Sequence, residues 1–356
     1  MAEETPFSIQ EHQLNHLQDD AAEEFFTKLI ESIFEQEEIE YNVENYEPPS
    51  PLRSSADGGI DSFFDNQSGK EDFNGFIKKG KNYYQVKGGK SDPITFKKIF
   101  KKEKKGKSPN SDLKPLILEA LEAKARIVCV YLGGSYNKND ISKKINKIRT
   151  EFNSEFNGRY NWNDYNFEIY AANDIARIIN SYLGTAIYFQ ELLTNLSSGA
   201  KTCTKAYDEF LCGRDVIPET FGREEDVTKI KTCINEFFLS NNDSGFLRII
   251  GESGIGKTRL LLELLKNEFP LISIYYEKAS SFHNLREFLS QNKQAKGRIV
   301  IVLDECDERF IDNLFTKPIG GTDVKIFFIC INNEKDRYLD HRIGKPPIKI
   351  DHIFHF

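Results

Sequence analysis

Eight consecutive residues, Gly251-Glu252-Ser253-Gly254-Ile255-Gly256-Lys257-Thr258, constrain the fold of this chain more than any other stretch. They satisfy G-x-x-x-x-G-K-[ST] and stand between an apolar segment, Phe246–Ile250, and a leucine-rich one, Lys257–Asn267. A glycine loop between a buried strand and a helix is a βα unit. The segments that follow keep the alternation: strand Leu271–Tyr276, helix Phe282–Gln291, then strands Ile299–Leu303 and Val324–Ile331. Apolar strands alternating with helices predict a parallel sheet covered on both faces.

The chemistry of such a loop is phosphate binding. Its glycines let backbone N–H groups surround a β-phosphate, and the helix N-terminus adds partial positive charge. Lys257 would bridge the β- and γ-phosphates of ATP, and the Thr258 hydroxyl would hold Mg²⁺. A carboxylate at the end of a neighbouring apolar strand should complete the site. The run Ile299–Leu303 followed by Asp304-Glu305 supplies it, with Asp304 as the Walker B metal partner and Glu305 as the base for an attacking water. One βα unit separates the two motifs, which suits an additional-strand ATPase. Asn332 closes the last strand, either as a γ-phosphate sensor or as an ordinary Asn turn.

Upstream of the loop, Phe221-Gly222-Arg223-Glu224 resembles the F-x-GRE segment of the STAND NTPases, relatives of the AAA+ ATPases. The resemblance covers about residues 218–350. It implies a signal-transducing ATPase that switches between a closed ADP-bound form and an open, ATP-bound homo-oligomer, with Arg223 near the adenine. It also implies winged-helix and repeat-sensor regions that do not follow Phe356 in this sequence. The lid and the sensor are therefore expected to be absent or supplied by a trigger protein or separate sensor chain.

The net charge of −7 conceals a segregation. Residues 1–50 hold 14 acids and a single cation, Lys28, whereas residues 78–109 hold 12 lysines against Asp92 and Glu103. A basic helix over about Pro93–Lys105 is expected after the Ser-Asp-Pro start signal. Cations at such density suit the phosphates of a polyanion, so Lys90, Lys97, Lys98, Lys101 and Lys102 are the expected DNA contacts. The acidic N-terminal segment is expected to cover the lysine helix at rest.

Just ahead of the lysines lie Asp57-Gly58-Gly59-Ile60-Asp61 and Tyr84-Gln85-Val86-Lys87. Phosphodiester cleavage needs a carboxylate that holds Mg²⁺ and a nearby cation that stabilises charge or orients water. On a bent hairpin Asp61 would meet Gln85 and Lys87, which share a strand face, while the Val86 carbonyl would fill a further metal position. This arrangement resembles the Mrr-like branch of the PD-(D/E)xK restriction endonucleases, which carries D-x-G-[IV]-D followed by Q-x-K. The resemblance covers about residues 20–190 and includes the preceding helix, about Ala21–Gln36, with its apolar stripe Phe26, Leu29, Ile30, Ile33 and Phe34. Asp61, Gln85 and Lys87 carry over as catalytic residues. The helical glutamate that branch often has is displaced or missing, because Thr27 follows Phe26 here; Glu24 is either its substitute or, the favoured reading, a solvated acid on the helix face.

Other classes fall away. No apolar run is long enough to span a membrane, and MAEETPFSIQ lacks the order of a signal peptide. Six scattered cysteines give neither a disulfide framework nor a CxxC metal site, so a reducing cytoplasm is expected. His12 and His16, like His352 and His355, lack partners that would complete a metal site. Trp162 is expected in packing rather than base stacking. The whole is read as α/β: a lead-in (1–18), a restriction-endonuclease-like α/β sandwich (19–193), a linker (194–217) and a P-loop NTPase core (218–356). The implied function is a Mg²⁺-dependent DNA endonuclease under an ATP-binding switch, in antiphage defence. A DNA-binding ATPase with an inactive nuclease fold stays open, as does a nucleotide-responsive adaptor that recruits a partner chain.

Overall fold

In the first half of the chain, Tyr83–Val86 and Arg126–Tyr131 are unbroken buried runs, and they form the two central strands of a sheet. Strand β1 (Ser62–Asn66) pairs antiparallel with β2 (Gly80–Lys87), and β2, β3 (Arg126–Tyr131) and β4 (Phe167–Ala171) run parallel in the order β1-β2-β3-β4. The outer strands β1 and β4 alternate buried and half-buried residues, as edges with one covered face do. The computed structural model describes residues 8–39, 60–67, 70–72, 74–89, 93–101, 113–156, 158–194, 201–212, 224–240, 244–250, 256–277, 296–306, 323–332 and 352–355.

Two layers cover this sheet. After the short helix α1 (Glu11–Leu14), helix α2 (Asp19–Glu37) lays its apolar stripe on one face, where Phe26 meets Tyr84 (ring centroids 5.1 Å apart) and Phe34 meets Phe64 (5.0 Å). The opposite face carries Tyr83, Ile127 and Cys129. It is covered by α3 (Phe96–Phe100), α4 (Pro115–Glu122) and α5 (Lys138–Phe156), through Ile99, Phe100, Ile117 and Phe152. Trp162 packs edge-on against Phe152 in this layer, so it is a core residue. The acidic face of α2 therefore lies across the sheet from α3, and α2 does not cover the α3 lysines; most of the other acids of the first 50 residues fall outside the described residues. Helix α6 (Ala172–Asn180) closes the unit, Ile9–Ile179.

At the end of this sheet where β3 and β4 begin, Arg126 is buried in a polar network. It donates to Glu168 (2.6 Å), to Asn82 (2.9 Å) and to the Phe76 carbonyl (2.7 Å), and Tyr170 also donates to Glu168 (2.9 Å). Nearby, Asp72 accepts from the backbone N–H groups of Ile77 and Asn74. Burial nevertheless pushes its carboxyl up to about 6. A carboxyl held above its unfolded value binds its proton more tightly when folded, so its stabilising effect is present at acid pH and is lost as pH rises through 6. The stability of this unit should fall by up to about 3 kcal/mol from Asp72 between pH 4 and 7. The lone tryptophan, Trp162, lies in this unit's core, so its fluorescence in urea reports the change, and Asp72→Asn should flatten the slope.

The second unit, Asn180–Phe356, has six strands among the described residues. They are β5 (Lys201–Thr202), β6 (Ser244–Ile250), β7 (Ser273–Tyr276), β8 (Lys296–Leu303), β9 (Asp323–Asn332) and β10 (His352–His355), ordered β10-β6-β9-β8-β7-β5. All neighbours are parallel except β5 with β7. Among the described residues it carries the helices α7 (Leu183–Thr194), α8 (Cys203–Leu211), α9 (Glu224–Leu239) and α10 (Lys257–Glu268). The expected sandwich boundary at 193 and linker at 194–217 are corrected here. Leu183, Ala186, Ile187 and Phe189 of α7 are buried in this unit, and β5 and α8 extend it. The lysine helix is also shorter than expected, because Lys101 leaves α3 in an extended conformation. Helix 282–291 lies outside the described residues. Among the described residues no helix is long and apolar enough to cross a membrane.

Candidate functional site

The Asp61 carboxyl sits where β1 begins, at the edge of the first sheet. Its backbone N–H donates to the Tyr84 carbonyl (2.8 Å), which fixes the start of the hairpin. Its Oδ2 accepts from the Val86 N–H (2.6 Å) and lies 3.7 Å from the Lys87 ammonium. In a strand the N–H and C=O of one residue point the same way, so the Val86 carbonyl opens onto the same edge. Asp61, Val86 and Lys87 are thus brought together. From the other layer α2 contributes Glu23, which hydrogen-bonds Asp61. Glu23 is buried, whereas Glu24 is exposed, as a solvated acid on the helix face. The carboxyl that meets Asp61 thus lies one residue before Glu24, about 100° of helix turn away.

Burial pushes the Asp61 carboxyl above the usual carboxylate range, opposed first by Lys87 and then by the Val86 N–H, Lys114 and Glu23. Lys114 is a further cation that the sequence motif does not include. It is buried at the start of α4, and its Nζ donates to the Lys98 carbonyl of α3 (2.6 Å). Two buried carboxyls in hydrogen-bond contact, with a carbonyl beside them, are the oxygen donors a hard divalent cation takes in exchange for protons. Gln85 lies two residues before Lys87 on β2. It is fully buried, its Oε1 faces the Cys129 thiol at 3.9 Å, and its Nε2 has no partner. Among the described residues no group of three or more His, Cys, Asp or Glu side chains forms a metal cluster.

Of the expected DNA contacts, Lys97 and Lys98 are exposed on α3. Lys101 is not a free phosphate contact, because it is drawn into an ion pair with Glu155 of α5 (2.5 Å). Lys90 and Lys102 lie outside the described residues.

In the second unit the motif residues gather at the C-terminal ends of parallel strands, where open α/β sheets bind ligands. β9 lies between β6, which leads into the glycine loop, and β8, which leads into Asp304. Gly256 caps α10 with φ +89°, a left-handed conformation that only glycine adopts readily. Lys257 is buried, and desolvation holds its ammonium below the usual lysine range, against the opposing pull of Asp304. Thr258 Oγ1 donates to Asp304 Oδ2 (2.8 Å), as does the Tyr275 hydroxyl (3.0 Å), and the Glu305 N–H donates to Asp304 Oδ1 (2.9 Å). Tyr275 is not part of either motif. Glu305 itself is exposed, with φ +49°. Asn332 pairs with Ile250, which puts the end of β9 beside the glycine loop. Gly251, Glu252, Ser253, Gly254, Ile255 and Arg223 lie outside the described residues.

Compared with models of known protein families and with curated proteins, the chain finds no match in either. The geometry of these two sites therefore carries the functional reading.

Proposed function

We propose that this chain is a divalent-metal-dependent DNA endonuclease governed by an ATP-binding switch. The observation that carries the reading is the convergence of Asp61, Glu23, Lys87 and the Val86 carbonyl edge from three separate chain segments. Mg²⁺ held by Asp61, Glu23 and the Val86 carbonyl would supply Lewis acidity and an activated water. Lys87 would stabilise the charge that develops on the scissile phosphate, and Lys114 keeps the buried carboxyl pair near a second cation. The exposed Lys97 and Lys98 would hold the DNA backbone.

The Thr258–Asp304 pair and the strand order β6-β9-β8 support a STAND-type, additional-strand NTPase as the second unit. In this reading ATP·Mg²⁺ held by Lys257, Thr258 and Asp304 drives homo-oligomerisation, which brings nuclease domains together on DNA. Antiphage defence is the role that the resemblance to STAND proteins suggests. The second reading, an ATPase whose nuclease fold binds DNA without cutting it, is favoured by one observation. Gln85 stands where the motif usually has an acid, and its amide is turned to Cys129.

Plasmid cleavage with Mg²⁺, with and without ATP, separates the two. Wild type should cleave, and Lys257→Ala should lose the ATP-dependent part by roughly a hundredfold, with the loss of oligomer mass by light scattering. Wild type that binds plasmid and ATP but never cuts it would instead establish the second reading.

A further inference from the structure

We infer that Tyr275 is a positioning residue that sets the Asp304 carboxylate before a metal–nucleotide arrives; the inference rests on the nucleotide reading above. Tyr275 lies on β7 opposite Val302 of β8. Asp304 follows Val302 by two residues, so β pleating brings it to the same face as Tyr275. The Tyr275 hydroxyl then reaches Asp304 Oδ2 at 3.0 Å, beside Thr258 Oγ1 at 2.8 Å. The Glu305 N–H holds Oδ1 at 2.9 Å, and the Asp304 N–H donates to the Tyr276 carbonyl at 2.9 Å. The carboxylate is thus fixed from three directions: the first turn of α10, the neighbouring strand and its own chain.

The division of labour follows from the donors. A hydroxyl that donates its proton to Asp304 keeps its lone pairs, so Thr258 still has an oxygen to offer a cation. The Tyr275 hydroxyl has no such second task in this arrangement. Its bond removes carboxylate rotation that would otherwise be frozen when the metal binds, which is preorganisation. The apolar body of the ring packs on the core that includes Val300 and Val302, so Tyr275→Phe keeps the packing and deletes only the hydroxyl.

The test is equilibrium binding of ATP to the full chain in excess Mg²⁺ and, separately, in EDTA. Tyr275→Phe should weaken ATP binding in Mg²⁺ roughly tenfold, the loss of one hydrogen bond to a charged acceptor, and leave binding in EDTA within about twofold. A Mg²⁺ titration at fixed ATP should shift to higher concentration by a similar factor. Asp304→Asn gives the reference for a site that has lost its Mg²⁺ dependence. An equal fall in Mg²⁺ and in EDTA would make Tyr275 a packing residue and overturn the inference, as would no change in either. Wild type that binds no ATP under either condition would overturn the nucleotide reading itself, and this inference with it.

Discussion

Asp61→Asn is expected to lower Mg²⁺-dependent plasmid cleavage by roughly a thousandfold or more, without loosening the fold. The two halves of that expectation have one cause. The Asp61 side chain is 9% exposed, and desolvation raises its carboxyl above the usual range even with Lys87 3.7 Å away. A charged carboxylate at this position therefore opposes folding, and a neutral amide removes that cost. The Trp162 unfolding midpoint at pH 7 should stay the same or rise. Chemistry and stability then move in opposite directions, which a merely structural residue would not allow. Glu23→Gln should also abolish cleavage, because it removes the second carboxylate of the pair. Glu24→Gln, on the solvent side of the same helix, should leave cleavage within about twofold, as surface substitutions away from a site do. Combining Asp61→Asn with Lys87→Ala should add little to either alone, since the two act as one unit. Equal activity of wild type and Asp61→Asn would end the endonuclease reading, however well the protein bound DNA.

The residues that were legible in the sequence are those whose chemistry needs contiguity. Gly256-Lys257-Thr258 and Asp304-Glu305 are read directly, because a phosphate loop and a strand-end acid are local objects. Asp61 and Lys87 were legible because both lie on one hairpin. Glu23 was not anticipated, although its signal was present. Position 23 falls three residues before Phe26 and seven before Ile30, on the apolar stripe of α2, and an acid on an apolar stripe demands a buried partner. Lys114 and Tyr275 had no such signal, since each reaches its aspartate only across the tertiary fold. Helix α9 was not anticipated, although Glu224, Glu225 and Asp226 stand in its first turn and Ile230, Ile234, Phe237 and Phe238 lie on one side. The segment read as a linker hid β5, two residues long, whose pairing with Ile274 and Tyr275 is set by the sheet edge and not by local pattern. The insertion of β9 between β6 and β8 is likewise a matter of tertiary pairing, and only the intervening βα unit hinted at it.

Arg126→Met should destabilise the first unit by about 3–5 kcal/mol, the cost of removing one partner from a buried, hydrogen-bonded ion pair. Arg126 is only 6% exposed and donates to four side chains, Asn82, Tyr84, Glu168 and Tyr170, as well as to the Phe76 and Gly75 carbonyls. Methionine fills much of the volume, but it leaves the Asn82 oxygen and the Glu168 Oε2 without their strongest donor. Lys78 still reaches Glu168 Oε1, at 2.5 Å, and limits the damage. The pH dependence distinguishes this account from simple mispacking. Burial pushes the Glu168 carboxyl up, but the Arg126 bond and charge, with Lys78 and Tyr170, hold it below the usual range in the folded protein. A depressed carboxyl contributes stability above its unfolded value and loses it as pH falls through the folded one. The gap between wild type and Arg126→Met, read from Trp162 fluorescence in urea, should therefore be widest near pH 7 and narrow below about pH 4. A gap that stayed constant from pH 7 to pH 3 would assign the loss to packing alone. This network lies at the end of the sheet away from Asp61, so Arg126→Met should not alter the pH profile of cleavage in whatever fraction remains folded.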